Sequence, residues 1–277
     1  MERGLVVRSL VMDSIHGTPY QSELDTYLAG LDRTLPADAV AGVYLTGSTA
    51  LGDYHHGRSD LDILTLTTRA LSDEELAALE QLHKTLETGA QPHADAAYVL
   101  REHVGKLPPE DAAGHGYVVD GQFNRGANGQ ELVVWANLDQ CGITVRGPEA
   151  KSLNAAPDPG EFKAWNRGNL EGYWRMRALQ VRQAISERDP DEEFLPFFAV
   201  WLASGPGRLH RTIASGEIIS KTRSIDYTAE LLPGYADILG RIRQSRRGDD
   251  SVTFVMSDGR VLADLVDEVC DAAKRLP

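Results

Sequence analysis

The pattern of apolar residues changes near Gly160, and this change limits the folds open to the chain. Before it, runs with the two-residue period of strands alternate with runs at helical spacing. Beyond it, the pattern is helical in blocks around 161–188, 192–204, 208–215, 222–247 and 258–275. The segment LNAAPDPGE, with Pro157 and Pro159, is the best linker candidate. The sequence therefore predicts two domains, residues 1–157 of α/β (α+β) type and residues 158–277 as an all-α helical bundle.

The charge balance and the cysteine content narrow the class of protein. The net charge of −13, from 41 acidic and 28 basic side chains, disfavours nucleic-acid binding through phosphates and favours a cationic partner. Cys141 and Cys270 match no metal-ligand spacing, so neither a zinc site nor a disulfide framework is predicted. No segment has the roughly 20 apolar residues of a membrane span, and the N-terminus lacks a signal-peptide pattern. We expect a cytoplasmic monomer that binds neither nucleic acid nor membrane.

Short elements are predicted in the first half. The strands are AVAGVYLTG, LDILTLTT and HADAAYVL, and the helices are TPYQSELDTYLAGLDRTL and SDEELAALEQLHKTLE. The second helix opens with Ser72 as a candidate N-cap and has Glu75 three residues later, which is the pattern of a capping box.

Gly47 and Ser48 directly follow the first predicted strand, and Ser48 can begin a short helix. Glycine permits close backbone approach and a helix N-terminus favours negative charge, so this junction suits a triphosphate. The lysine-containing P-loop pattern is absent here, and a Gly-Ser pair alone is a weak signal.

Asp60 and Asp62 stand two residues apart at the second strand, so their carboxylates are expected on one face. Two such carboxylates repel each other and raise each other's pKa unless a cation lies between them. Magnesium suits this position, because it binds through one or two carboxylates together with substrate phosphates. A solvated edge strand, or a turn with capping aspartates, is the alternative and is the commoner meaning of an isolated Asp-x-Asp pair.

The combination is more informative than its parts. A strand that ends in Gly-Ser, then SDLDILTL, then a third strand with an acidic residue resembles the polymerase β-like nucleotidyltransferases. The resemblance implies a mixed sheet in residues 1–157. It also implies that Gly47 and Ser48 hold the nucleotide phosphates and that Asp60 and Asp62 bind two Mg²⁺ ions. It also implies that a third carboxylate, here Asp95, completes the catalytic and metal site. A surface aspartate before a strand is the alternative for Asp95.

The helical half is similar to a narrower family. The segment GRLHRTIASGEIISKTRSIDYTAELLP resembles the signature of the streptomycin/spectinomycin adenylyltransferases, as does a Gly-Pro pair upstream. The matching residues are Gly147, Pro148, Arg208, Gly216, Ile218 and Lys221. The resemblance implies that Arg208 and Lys221 contact the ATP phosphates across an interdomain cleft.

The implied activity is Mg²⁺-dependent transfer of AMP from ATP to a hydroxyl of an aminoglycoside or aminocyclitol antibiotic, a cationic small-molecule acceptor. Two departures bear on it. Asp95 stands where known members carry a glutamate base, and the acidic stretch SERDPDEEFLPFF lacks the preceding tryptophan of the streptomycin-handling region. A different small-molecule or protein acceptor, a catalytically weak nucleotide-binding homologue, and a purely structural protein remain as alternatives.

Overall fold

The computed structural model describes residues 15–86, 94–107, 109, 111–119, 121–128 and 131–277. The chain divides into two compact units, the first ending at Pro157 and the second beginning at Asp158. In the part of the chain that is described, no helix is both long and apolar enough to cross a membrane.

The first unit alternates helices and strands. In chain order its elements are α1 (Gln21–Thr34), β1 (Val40–Leu45), α2 (Gly47–Ala50), β2 (Leu61–Thr67), α3 (Asp73–Leu86), β3 (Ala94–Leu100), β4 (Gly116–Val119), β5 (Gln122–Arg125), α4 (Glu131–Cys141) and β6 (Ile143–Arg146). Short 3₁₀ turns lie at Ala37–Ala39, Arg101–His103 and Ala150–Leu153.

The six strands form one sheet in the order β5-β4-β3-β2-β1-β6. Strands β2 and β3 are parallel, and every other neighbouring pair is antiparallel. The predicted mixed sheet is confirmed. The three predicted strands, β1, β2 and β3, are neighbours, so the sheet brings together the segments that carry the candidate site residues.

The helices of this unit pack through apolar faces. In α1 the buried residues Leu24, Tyr27, Leu28 and Leu31 recur at helical spacing. In α3 the predicted capping box is present, because Ser72 Oγ accepts the Glu75 N–H at 3.3 Å and Glu75 Oε2 accepts the Ser72 N–H at 2.9 Å.

A chain of buried polar side chains crosses this core. His83 Nε2 lies 2.8 Å from Tyr98 Oη, Tyr98 accepts a hydrogen bond from Tyr27 at 3.1 Å, and Tyr27 lies 2.8 Å from Thr65 Oγ1. Burial lowers the pKa of His83 to about 4. The imidazole is therefore neutral in the folded protein at pH 7.

The second unit is helical, as predicted. Its helices are α5 (Pro159–Asn169), α6 (Arg175–Ile185), α7 (Pro196–Ser215), α8 (Lys221–Leu231), α9 (Ala236–Arg246) and α10 (Met256–Lys274). A π-helical turn, Leu170–Trp174, joins α5 to α6, and a 3₁₀ turn occupies Pro233–Tyr235. Residues of α7, α9 and α10 contribute to the core, including Leu202, Ile242, Leu262 and Val266.

Two local predictions for this unit are wrong. The block 222–247 is not one helix but forms α8 and α9, with the 3₁₀ turn Pro233–Tyr235 between them. The blocks 192–204 and 208–215 are not separate helices, because α7 continues through Pro206. A Cβ on Gly205 would lie 2.0 Å from the Trp174 ring, and one on Gly207 would lie 2.2 Å from Thr228 Oγ1. The two glycines therefore let α7 pack closely on its neighbours, and this tertiary packing overrides the local tendency of Gly-Pro-Gly to end a helix.

We expect His83 to make folding stability depend on pH. Its pKa is about 6.5 when unfolded and about 4 when folded, so only the unfolded state takes up the proton between these values. Stability is thus lost as pH falls through this window, by about 2 kcal/mol between pH 7 and pH 5. Urea unfolding at both pH values, on the wild type and on His83→Gln, measures it. An equal loss in both proteins would contradict this assignment.

Candidate active site

The Gly47-Ser48 turn lies against the strand that carries Asp62. The Thr46 N–H donates to the Asp62 carbonyl at 3.0 Å, and Gly47 adopts a left-handed backbone with φ +58°. A Cβ on Gly47 would lie 1.8 Å from Asp62 Oδ2. Only glycine satisfies both the backbone angle and this close approach.

Ser48 presents a hydroxyl at this turn. Its N–H points at Asp62 Oδ2 across 3.4 Å. Its Oγ is buried and has no hydrogen-bond partner among the described residues. A buried hydroxyl without a partner is costly, and a phosphate oxygen would satisfy it.

The sheet brings two of the three predicted carboxylates together. In the parallel pair β2 and β3, Asp62 stands in register with Asp95, and both residues are half-buried. Asp60 is exposed and immediately precedes β2 rather than lying within it. Asp60 therefore lies just before the start of β2, two residues before Asp62.

The residues fit a metal that completes its coordination from the substrate. Among the described side chains, no group of three or more His, Cys, Asp or Glu is arranged to hold a metal ion. Magnesium does not require such a group, because it commonly takes one or two carboxylates and fills its remaining positions with phosphate oxygens and waters. Asp62 and Asp95, side by side on adjacent strands, match that requirement.

The loop between Ser48 and Asp60 is held by its own polar groups. The Asp53 N–H donates to the Ser48 carbonyl at 2.9 Å, and Asp53 Oδ1 lies 3.2 Å from His55 Nε2. The His55 N–H in turn donates to Ser59 Oγ at 3.0 Å. These contacts connect Ser48 to Ser59, the residue immediately before Asp60.

Tyr54 provides a neutral neighbour to the carboxylates. Burial raises its pKa to about 12, and the negative charges of Glu23 and Asp60 act in the same direction. The phenol therefore stays protonated at neutral pH and adds no further negative charge beside Asp60.

Sequence reasoning missed Asn137 in α4. Its Oδ1 accepts the Gly47 N–H at 3.1 Å, and the side chain is buried. The available signal was an amide within the mostly apolar helix sequence ELVVWANLDQC, because a buried polar group needs a partner.

The predicted Gly147-Pro148 pair packs on β1. Gly147 has φ +99°, and a Cβ there would lie 2.6 Å from the Ala41 carbonyl oxygen. The Tyr44 hydroxyl donates to the Pro148 carbonyl at 3.0 Å. The pair therefore secures the strand that leads into the Gly47-Ser48 turn.

The signature in the helical unit spans the junction of two helices. Arg208 is half-buried on α7, and Gly216 ends that helix with φ +74°, its N–H donating to the Thr212 carbonyl at 2.7 Å. Ser220 then caps α8 by accepting the Arg223 N–H at 3.2 Å, and Lys221 is the first residue of α8. The glycine thus has a structural role, whereas a phosphate role for Arg208 and Lys221 stays a prediction.

Residues 25–116 match the family model described as a nucleotidyltransferase domain. This part of the chain is a nucleotidyltransferase domain. The matched range contains Gly47, Ser48, Asp60, Asp62 and Asp95, and the predictions of this superfamily and of an enzyme are confirmed.

A solved structure extends the comparison in fold beyond this domain. The spectinomycin adenyltransferase AAD(9) from Enterococcus faecialis, determined with ATP and spectinomycin, superposes with a TM-score of 0.66 at 12% identity, covering 92% of this chain and 99% of that chain. The predicted resemblance to the antibiotic adenylyltransferases is thus confirmed at the level of the fold. No curated protein matches the sequence.

We expect Gly47→Ala to weaken ATP binding by the nucleotidyltransferase domain more than Gly52→Ala does. Both glycines have left-handed backbones, but a Cβ on Gly52 meets nothing within 4 Å. Both variants should lose about 1 kcal/mol of unfolding free energy, because a residue with a Cβ is strained in a left-handed backbone. Gly47→Ala should also displace the Asp62 carboxylate and weaken binding of ATP with Mg²⁺ by at least about tenfold.

Urea unfolding and calorimetric ATP titration measure these two effects. The same ATP affinity in the two alanine variants would show that the Gly47–Asp62 approach does not matter for the site.

Proposed function

We propose that the protein is a Mg²⁺-dependent nucleotidyltransferase that moves AMP from ATP to a hydroxyl of an aminoglycoside or aminocyclitol. The observation that supports this most is the pairing of Asp62 with Asp95 on adjacent strands, directly beside the Gly47-Ser48 turn. A bound metal needs acidic oxygens, and the phosphate beside it needs a hydrogen-bond donor. Asp62 and Asp95 supply the oxygens, and Ser48 supplies the donor.

The nucleotide phosphates would be held at Ser48, and two Mg²⁺ ions by Asp60, Asp62 and Asp95. Mg²⁺ held by these carboxylates would neutralise charge on the α-phosphate of the transferred AMP and on the leaving pyrophosphate. Gly47 leaves room for the Asp62 carboxylate, because a side chain at position 47 would overlap it.

The acceptor hydroxyl would attack the α-phosphorus in line as the bond to pyrophosphate breaks. Its proton would pass to Asp95 where that carboxylate acts as general base. Where Asp95 instead serves as the third metal ligand, the proton would pass to water or to a phosphate oxygen. A carboxylate within hydrogen-bond reach of the hydroxyl is sufficient for base catalysis. The aspartate is one methylene shorter than the glutamate of the resembling family, so the acceptor would need to approach the sheet more closely.

Charge supports a cationic acceptor. The chain has a net charge of −13, which favours the approach of polycationic molecules such as aminoglycosides. The fold neighbour AAD(9) was solved with spectinomycin, and this supports an aminocyclitol acceptor more directly than streptomycin. A different small-molecule or protein acceptor keeps every proposed catalytic residue and is the second candidate.

Two cations of the helical unit complete the proposal. We assign Arg208 and Lys221 to the ATP phosphates, because a triphosphate needs cationic partners and these residues match the adenylyltransferase signature. The expectations of a monomer and of a cytoplasmic location belong to the same proposal.

Pyrophosphate release tests the proposed reaction. We expect release from ATP with Mg²⁺ that depends on one member of a panel of aminoglycosides and aminocyclitols, including spectinomycin and streptomycin. Asp60→Asn combined with Asp62→Asn should reduce this release by at least about a thousandfold, since it removes two metal ligands.

Two other outcomes are informative. Undiminished release in the double variant would refute the site assignment. ATP binding without release across the whole panel would instead favour another acceptor or a catalytically weak homologue.

The two cations give a separate prediction. Arg208→Gln and Lys221→Gln should each raise the KM for ATP about tenfold or more, because a hydrogen bond from a charged group to phosphate contributes about 1.5–3 kcal/mol. Arg260→Gln, at an exposed position of α10, is the matched loss of one positive charge. Equal KM values in all three variants would remove Arg208 and Lys221 from the site.

A further inference from the structure

The Gly47-Ser48 turn is held by a second element that lies far away in the sequence. Asn137 is 90 positions after Gly47, on α4, and its side chain is 5% exposed. Its neighbours in the helix, Ala136 and Leu138, are buried and apolar. This side chain contacts the turn through Oδ1, which accepts the Gly47 N–H at 3.1 Å.

Both backbone N–H groups of the turn face oxygens of the protein. The Gly47 N–H donates to Asn137, and the Ser48 N–H points at Asp62 Oδ2 across 3.4 Å. In contrast, Ser48 Oγ has no hydrogen-bond partner among the residues that the structure describes. Of the polar groups of this turn, the serine hydroxyl, and not the Gly47 amide, therefore still needs a hydrogen-bond partner.

The turn is fixed from two sides. The Asp62 carboxylate occupies the space where a side chain of residue 47 would stand, and Asn137 holds the N–H of the same residue. With Gly47 held at φ +58°, the position of the next residue, Ser48, is also set.

We propose that Asn137 is a positioning residue for nucleotide binding. Its amide oxygen accepts a hydrogen bond from the Gly47 N–H, and this bond stabilises the left-handed turn. The turn in that conformation orients the Ser48 hydroxyl towards a phosphate. This inference rests on the proposed function, which assigns the phosphates to Ser48. It adds that the Gly47 N–H keeps its hydrogen bond to Asn137 when ATP is bound and does not donate to the phosphate instead.

A comparison of two ligands separates positioning from general stability. Asn137→Leu removes the acceptor at similar volume, so the Gly47 N–H loses its buried partner. ATP with Mg²⁺ and adenosine, which has no phosphates, are titrated by calorimetry. We expect ATP affinity to fall about tenfold and adenosine affinity to stay unchanged.

Tyr27→Phe is the control, because it removes a buried hydroxyl of the same unit that bonds to Thr65 and Tyr98. It should lower stability and leave the ratio of ATP to adenosine affinity as in the wild type. An Asn137→Leu protein that binds ATP as the wild type does, or that loses both ligands equally, would overturn the positioning role. A wild type that binds no ATP would overturn the proposed function instead.

A measurement on the wild-type backbone tests the same idea without changing Asn137. Carbonyl-labelled threonine with ¹⁵N-glycine selects the two Thr-Gly pairs, Thr46-Gly47 and Thr88-Gly89, and Gly89→Ala identifies the signal of Gly47. We expect the Gly47 amide to exchange slowly without ligand, and its amide ¹H shift to change little when ATP and Mg²⁺ bind. A large downfield change of this shift on binding ATP, as the shorter and stronger bond to a charged phosphate oxygen produces, or faster exchange, would show that the bond to Asn137 is lost, and the inference would fall.

Discussion

The close approach of Gly47 to Asp62 is the constraint on which the candidate site depends. The turn at the end of β1 lies so near to β2 that a single carbon atom on Gly47 would coincide with the Asp62 carboxylate. A hydrogen bond from the Thr46 N–H to the Asp62 carbonyl joins the same two strands. Because β3 then pairs in parallel with β2, the position of Asp95 follows from the same arrangement. One steric condition thus links the serine hydroxyl to both carboxylates.

The rest of the first unit stabilises this arrangement from outside the site. Asn137 holds the turn from α4, and the Tyr44 hydroxyl ties β1 to the Gly147-Pro148 segment. Beneath the sheet, the buried contacts among His83, Tyr98, Tyr27 and Thr65 join α1 and α3 to β2 and β3. A buried polar chain of this kind favours one arrangement of the elements, because any shift leaves a polar group unpaired.

Local sequence patterns predict the elements that are long or that carry a capping motif. Long apolar runs predict the strands β1 to β3, and Ser72 with Glu75 predicts the capping box of α3, because both signals come from residues close in sequence. The strands β4, β5 and β6 have only four residues each, too few for a period to show. Continuation of α7 through Pro206 and the contact from Asn137 to Gly47 depend on residues distant in sequence, so no local pattern contains them.

The strand register also bears on how Asp95 differs from the glutamate of the resembling family. Neighbouring strands lie about 4.8 Å apart, and the in-register Asp62 and Asp95 start from adjacent backbone positions on these strands. A carboxylate that shares a metal with Asp62 must lie near Asp62, whereas a general base must extend from the sheet to the acceptor hydroxyl. The short side chain of Asp95 is better suited to sharing a metal than to reaching the acceptor. On the proposed function, Asp95 would therefore serve as a metal ligand rather than as the general base, and the acceptor proton would pass to water or to a phosphate oxygen.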